Sequence, residues 1–110
     1  MKRGEIWSVA APSDYVGKPR PAVIVQNDDF GSIASVIICP FTSNEAEASL
    51  FRPLIETSSA NGLVAPSRLM VDKLSAIPKT RLGKKIGRLS GTDMLRLNRA
   101  LMVFLGLAGS

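Results

Sequence analysis

Histidine is absent from this 110-residue sequence, and cysteine occurs once, as Cys39. Without histidine, the usual general acid–base at neutral pH, the commonest metal ligand and the Ser-His-Asp triad are excluded together. A single cysteine excludes an intrachain disulfide and, with no histidine, leaves no ligand set for zinc. Asp28-Asp29 has no further carboxylates at useful spacing, so a magnesium site is not expected either. Long apolar runs are missing as well. The longest, Ala34 to Phe41, is strand-sized and far below the roughly 20 residues that span a bilayer. Met1-Lys2-Arg3-Gly4-Glu5 carries two basic residues with no apolar stretch after them, unlike a signal peptide. The expectation is one soluble domain over residues 1–110 in a reducing cytoplasm, with no membrane association, metal or cofactor. Chemistry must rest on Arg, Lys, Asp, Glu, Ser, Thr or Tyr.

What is present is a 45% hydrophobic chain, enough for a packed interior, with a net charge of +5. The charge is uneven. Residues 1–60 hold five basic and seven acidic side chains (−2), and residues 61–110 hold nine and two (+7). A basic half-chain favours a polyanion or an acidic protein partner.

The apolar pattern predicts short strands closed by one helix. Glu5 to Ala10 alternates and reads as a strand; Ala11 to Pro19 is rich in loop formers. Pro21 to Gln26 and Ile33 to Phe41 read as strands buried on both faces, joined by a turn at Asn27–Ser32, the second bent at Pro40. Thr42 to Ala48 is polar and acidic. Leu50 to Glu56 alternates around Pro53 as an edge strand, and Asn61-Gly62 signals a turn. Ser67 to Leu74 reads as another strand, with Leu69, Val71 and Lys73 on one face. Ile77 to Leu89 is basic, with Gly83 and Gly87 expected to break it into short extended pieces. Ser90 is a candidate N-cap, with Asp93 in the first turn, for a helix. Its apolar stripe is Met94, Leu97, Leu101, Phe104 and Leu105, with Arg96 and Arg99 off that face and Gly106 as the stop.

Among residues able to carry chemistry, Arg20 stands out because Pro19 and Pro21 stiffen the backbone on both sides of it. A guanidinium presented from such a junction suits a phosphate met with little reorganisation. Taken alone, an arginine at a strand entrance is more often half of an ordinary ion pair. Thr42 follows the second buried strand. If that strand pairs with Pro21–Gln26, the two residues converge at one end of the sheet, although a threonine there also serves as a turn residue. Cys39, within an apolar run, reads as a small buried hydrophobe. Trp7 and Tyr15 offer base-stacking surfaces, Trp7 equally a core filler. The Lys79–Arg88 run reads as a solvated face or a phosphate-tracking one.

The ordered set of stretches resembles the MazF/PemK family of toxin endoribonucleases. The carriers are Lys2-Arg3-Gly4-Glu5-Ile6-Trp7; Pro19-Arg20-Pro21 with Val23-Ile24-Val25-Gln26-Asn27-Asp28; Pro40-Phe41-Thr42-Ser43; Arg68-Leu69-Met70-Val71-Asp72-Lys73-Leu74; and Ile77-Pro78-Lys79-Thr80-Arg81-Leu82-Gly83. The helix ending in Leu105-Gly106-Leu107 also fits, so the resemblance covers nearly the whole chain. It implies a mainly β fold with α (α+β): a small SH3-like barrel of the CcdB/PemK type, with short, bent antiparallel strands and a C-terminal amphipathic helix. It implies a homodimer, sequence-specific cleavage of single-stranded RNA, chiefly mRNA, and an antitoxin whose acidic segment occludes the RNA groove in a hetero-oligomer. The family's catalytic arginine and threonine fall on Arg20 and Thr42. Lys18, Gln26, Asn27, Ser43, Tyr15 and Arg68, in or beside these stretches, are the candidate RNA-binding residues. The first loop, Ala11 to Pro19, is shorter than in some relatives and borders the family's RNA site, so cleavage specificity does not carry over. Two alternatives use a similar fold: a non-enzymatic, gyrase-poisoning toxin of the CcdB kind, and an RNA-binding module without catalysis.

Overall fold

Alternating and β-branched runs form an antiparallel sheet in the computed structural model of the chain, which describes residues 1–10, 18–44 and 50–107. The strands are β1 (Glu5–Val9), β2 (Arg20–Ile24), β3 (Ser35–Thr42), β4 (Leu54–Ile55), β5 (Ser67–Leu69), β6 (Ser75–Pro78) and β7 (Leu82–Arg88), followed by helix α1 (Gly91–Phe104). The sheet order is β4-β5-β3-β2-β1-β7, with β6 also paired to β3. β3 changes partners along its length, from β6 at Ser35–Ile38 to β5 at Phe41–Thr42. Pro40, which has no N–H for a ladder, lies at that changeover, where the expected bend falls. The result is a curled half-barrel backed by one helix.

Two cores occupy the two faces of this curl. Ile6, Val23, Cys39, Phe41 and Leu69 face α1 and pack with its Leu97 and Ala100. Ala22, Ile24, Val36, Ile38 and Ile77 fill the inside of the curl, with Trp7, Val9 and Leu82 against them. β2 and β3 therefore contribute buried side chains to both faces, as their continuous apolar runs imply.

Arg3 ties the N-terminus to the rest. Its Nε donates to the Val25 carbonyl at 2.9 Å and its Nη2 to Asn98 Oδ1 on α1 at 2.7 Å. Glu5 Oε1 accepts from the Trp7 indole at 3.0 Å and the Lys2 backbone at 2.9 Å, and Oε2 meets Lys85 Nζ at 2.9 Å. Burial opposes the Glu5 charge, yet these hydrogen bonds and the Lys85 charge hold its pKa down at about 2.

The helix starts as expected, the Ser90 hydroxyl accepting the Asp93 N–H at 3.1 Å, and ends before Gly106 at φ 73°. Its stripe differs at the far end. Leu97 and Ala100 are buried, whereas Phe104 and Leu105 are 44% and 51% exposed, Phe104 resting against the Phe51 ring at 5.1 Å rather than in the core. Three strand expectations are also corrected. Leu50–Glu56 is reduced to Leu54–Ile55, because Pro53 supplies no N–H and Arg52 turns inward to a bidentate pair with Asp72, at 2.9 and 2.8 Å. Ser67–Leu74 is a strand only to Leu69. Val71–Lys73 forms a 3-10 turn that buries Val71 and brings Asp72 to Arg52, so Lys73 does not share a strand face with Leu69. In the basic stretch the break comes at the 3-10 turn Lys79–Arg81; β7 continues through Gly83 and Gly87, with its register against β1 shifting on either side of the Trp7–Lys85 pair. Gly87 lets the loop at Ala60-Asn61 lie on the strand: a Cβ there would stand 2.4 Å from the Ala60 carbonyl oxygen.

Candidate nucleic-acid groove

β2 emerges from the Pro19 junction at the open end of the curl, and its first residue is Arg20. Arg20 pairs with Val9 of β1. On the other side, Ala22 pairs with Pro40, Val23 with Cys39 and Ile24 with Ile38. Carried two residues further, this register sets Arg20 opposite Thr42, and Thr42 in turn pairs with Arg68 of β5. Directly paired residues of an antiparallel ladder project to the same face. Val9 and Arg20 thus share the inner face, as do Thr42 and Arg68, while the β2–β3 pairs themselves end at Ala22 and Pro40.

A groove of about 360 Å³ opens along this end, lined by Arg20, Lys18, Arg81, Pro40, Ser75 and Ile77 among others. Its cations differ in how they are held. Arg81 is fixed by Ala10, whose N–H donates to the Arg81 carbonyl at 2.9 Å and whose carbonyl accepts from Arg81 Nε at 2.9 Å. Arg20 is exposed, and among the described residues its guanidinium meets no carboxylate. Among the described residues, then, Arg20 lacks the ion pair that an isolated strand-entrance arginine usually makes. Thr42 Oγ1 accepts the Asn44 N–H at 3.2 Å, which leaves its O–H proton free to donate.

The remaining candidates divide by position. Lys18 lines the groove; Thr42, at the end of β3, and Ser43 after it are not among its lining residues, and Ser43 is exposed. Arg68 shares the Thr42 row, and its Nη1 donates to the Arg52 carbonyl at 3.0 Å, tying it to the Arg52–Asp72 clamp. Arg52 holds the Asp72 carboxyl below the usual carboxylate range, chiefly through those two hydrogen bonds. Gln26 and Asn27 lie beyond the opposite end of β2, about 20 Å from Arg20 along an extended chain. There the Gln26 amide accepts from Ile37 N–H at 3.1 Å and donates to the Phe30 carbonyl at 2.9 Å, and Asn27 caps the 3-10 turn Asp28–Phe30. The structure does not bring these two to the groove. Tyr15 lies outside the described residues. Cys39 is fully buried, and burial pushes its thiol up to about 12. Among the described residues no three Cys, Asp or Glu side chains converge as a metal site. Sequence reasoning missed Arg81 as a groove residue: only the pairing of Ala10 with Arg81 places it there.

Fold and groove together define a class: a small curled half-barrel with a helix on its convex side and a cation-lined trough on the other. Over residues 2–105 the chain matches the family described as "PemK-like, MazF-like toxin of type II toxin-antitoxin system". It is 49% identical over 109 residues, 99% of this chain and 100% of the other, to a probable endoribonuclease MazF of Mycolicibacterium smegmatis. It is 32% identical to the endoribonuclease MazF9 of Mycobacterium tuberculosis, over 97% of this chain and 98% of that one. The solved structure of an endoribonuclease in complex with its cognate antitoxin, from a mycobacterial species, superposes with a TM-score of 0.80 at 21% identity. That match covers 97% of this chain and 96% of the other, and it shows the shared fold. The chain belongs to the PemK-like, MazF-like family of type II toxins.

Proposed function

We propose that this protein is the toxin of a toxin–antitoxin pair, an endoribonuclease that cleaves single-stranded RNA at the Arg20 groove. The observation that carries this reading is Arg20 itself: stiffly presented, exposed, without a carboxylate among the described residues, and lining a groove with Lys18 and Arg81. The relatives' names support the same activity.

In the proposed reaction the RNA 2′-oxygen attacks the adjacent phosphorus while the bond from phosphorus to the 5′-oxygen breaks. The attacking hydroxyl loses its proton to solvent in the open groove, and the departing 5′-oxygen takes one up. The products carry a 2′,3′-cyclic phosphate and a 5′-OH. A guanidinium does not deprotonate near neutral pH, so an arginine cannot serve as the base. Arg20 and the Thr42 hydroxyl instead stabilise charge on the non-bridging oxygens as the phosphorane forms, and Lys18 and Arg81 hold the strand in line. DNA lacks the nucleophile and survives intact.

The partner is an antitoxin, whose acidic segment covers the cationic trough. A homodimer is favoured by the exposed apolar end of α1, where Met102, Val103 and Leu107 are 45%, 69% and 69% exposed. The place of action is the cytoplasm, where the RNA lies. Incubating the purified protein with long RNA in EDTA tests the reading. Fragments with 5′-OH ends are expected. Intact RNA with inhibited gyrase would point to a gyrase poison instead, and intact RNA with active gyrase to a binding module.

A further inference from the structure

The groove uses only Arg81 from the basic stretch Lys79–Arg88. Lys85 and Arg88 line a different depression, of about 590 Å³, together with Lys2 and Glu5 at the other end of β1 and with Ser90, Gly91 and Met94 where α1 begins. Register connects the two places. On β1, Val9 pairs with Arg20, Trp7 with Ala22 on one side and Lys85 on the other, and Glu5 with Arg88. Val9, Trp7 and Glu5 alternate along the strand and share its inner face. The β1–β7 register shifts on either side of the Trp7–Lys85 pair, yet the Glu5 carboxylate meets both the Trp7 indole and Lys85. Arg20, Trp7, Lys85 and Arg88 therefore follow one another across this face, and β1 advances about 13 Å from the Arg20 row to the Arg88 row. Glu5 offsets Lys85 at 2.9 Å. Lys2 and Arg88 are exposed, and among the described residues neither side chain meets a carboxylate. Their charge is uncommitted in a place the cleavage chemistry does not need.

We propose that this depression binds the phosphodiester backbone of the RNA strand being cleaved, so that the strand runs from Arg20 across Trp7 to Lys2 and Arg88. The inference rests on the ribonuclease reading and extends its footprint. Cations spaced along a face hold a strand by its phosphates without reading its bases, and an aromatic ring between them gives a base a surface to stack on.

The test uses a random-sequence 12-nucleotide 2′-O-methyl RNA, which has no free 2′-hydroxyl to attack with, and the intact protein. Trp7 is the only tryptophan, so its fluorescence reports a strand crossing β1. Fluorescence is expected to change with the 12-mer and not with a 2′-O-methyl dinucleotide, which reaches only the Arg20 groove. The variant Lys2→Gln/Arg88→Gln leaves the Glu5–Lys85 pair in place. Each lost phosphate contact lowers the slope of log K against log salt by about 0.7 for single strands, so this variant is expected to lose about 1.4. An unchanged slope or a silent indole overturns the proposal, as does a loss confined to binding of poly-glutamate, which would mark the depression as a site for an acidic protein. Wild-type cleavage of long RNA in the same preparation separates the two readings. If it fails, both fall; if it persists while the variant keeps the wild-type slope, only the second site falls.

Discussion

Replacing Asp72 with asparagine keeps the shape of the 3-10 turn Val71–Lys73 and removes the carboxylate that two hydrogen bonds of Arg52 reach. The Arg52 side chain is 6% exposed and that of Asp72 21%, so water replaces little of what is lost. Breaking a fully buried pair costs about 3–5 kcal/mol. Partial exposure of Asp72 and the amide oxygen retained by asparagine reduce the expected loss to about 2 kcal/mol. For a domain of this size that lowers Tm by about 10 °C. Urea unfolding followed by Trp7 fluorescence measures it directly, and m should stay constant because the exposed surface is unchanged. The double variant Arg52→Met/Asp72→Asn should be more stable than the sum of the single losses predicts, by about 1 kcal/mol or more. A single-variant loss under about 0.5 kcal/mol, or additivity within that margin, would refute the clamp as a stabilising element.

Three further outcomes follow from other parts of the fold. Glu5 is held at about 2 in the folded chain against 4.5 ordinarily, so its contribution is present above pH 4.5 and fades between there and pH 2. Half-exposed Lys85 weakens the effect, so Glu5→Gln should cost about 1–2 kcal/mol at pH 7 and almost nothing at pH 2; a variant curve parallel to wild type across this range contradicts it. Gly62 has φ 67°, and a Cβ there would lie 2.5 Å from the Ile86 carbonyl oxygen, so Gly62→Ala should lose about 2 kcal/mol or more, read by thermal unfolding. Cys39 should resist a thiol reagent at pH 8 in the folded protein and react promptly in urea; fast native reaction would contradict its burial.

Local signals were legible where local forces decide. Ser90 caps α1 through its hydroxyl and Gly106 follows its end at positive φ, and Asn61-Gly62 turns with Gly62 at positive φ. The continuous apolar runs of β2 and β3 gave strands covered on both faces, paired antiparallel from Ile24–Ile38 to Ala22–Pro40. What escaped depended on tertiary partners. Arg52 looks like a surface residue until Asp72, twenty positions away, draws it inward, and that pairing shortens both neighbouring strands. Gly87 looks like a breaker because its role, admitting the Ala60 backbone, involves a loop distant in sequence. The helix stripe reads as buried through Leu105 because periodicity cannot say which residues lie opposite each turn, and at Phe104 that is the Phe51 ring, not the core. Gln26 and Asn27 stood beside the apolar run of β2 in sequence but at its far end in space, where both hold the connection to β3.

The central claim is that Arg20 stabilises charge at the cleaved phosphate while contributing little to the fold. Single-turnover cleavage of long RNA in EDTA by Arg20→Ala, with urea unfolding of the same preparation, tests it most directly. Removing one such donor costs about 10²–10³ in rate. The expected result is a loss of that size at an unchanged unfolding midpoint. Cleavage at the wild-type rate, or a loss that tracks lowered stability, would contradict the account.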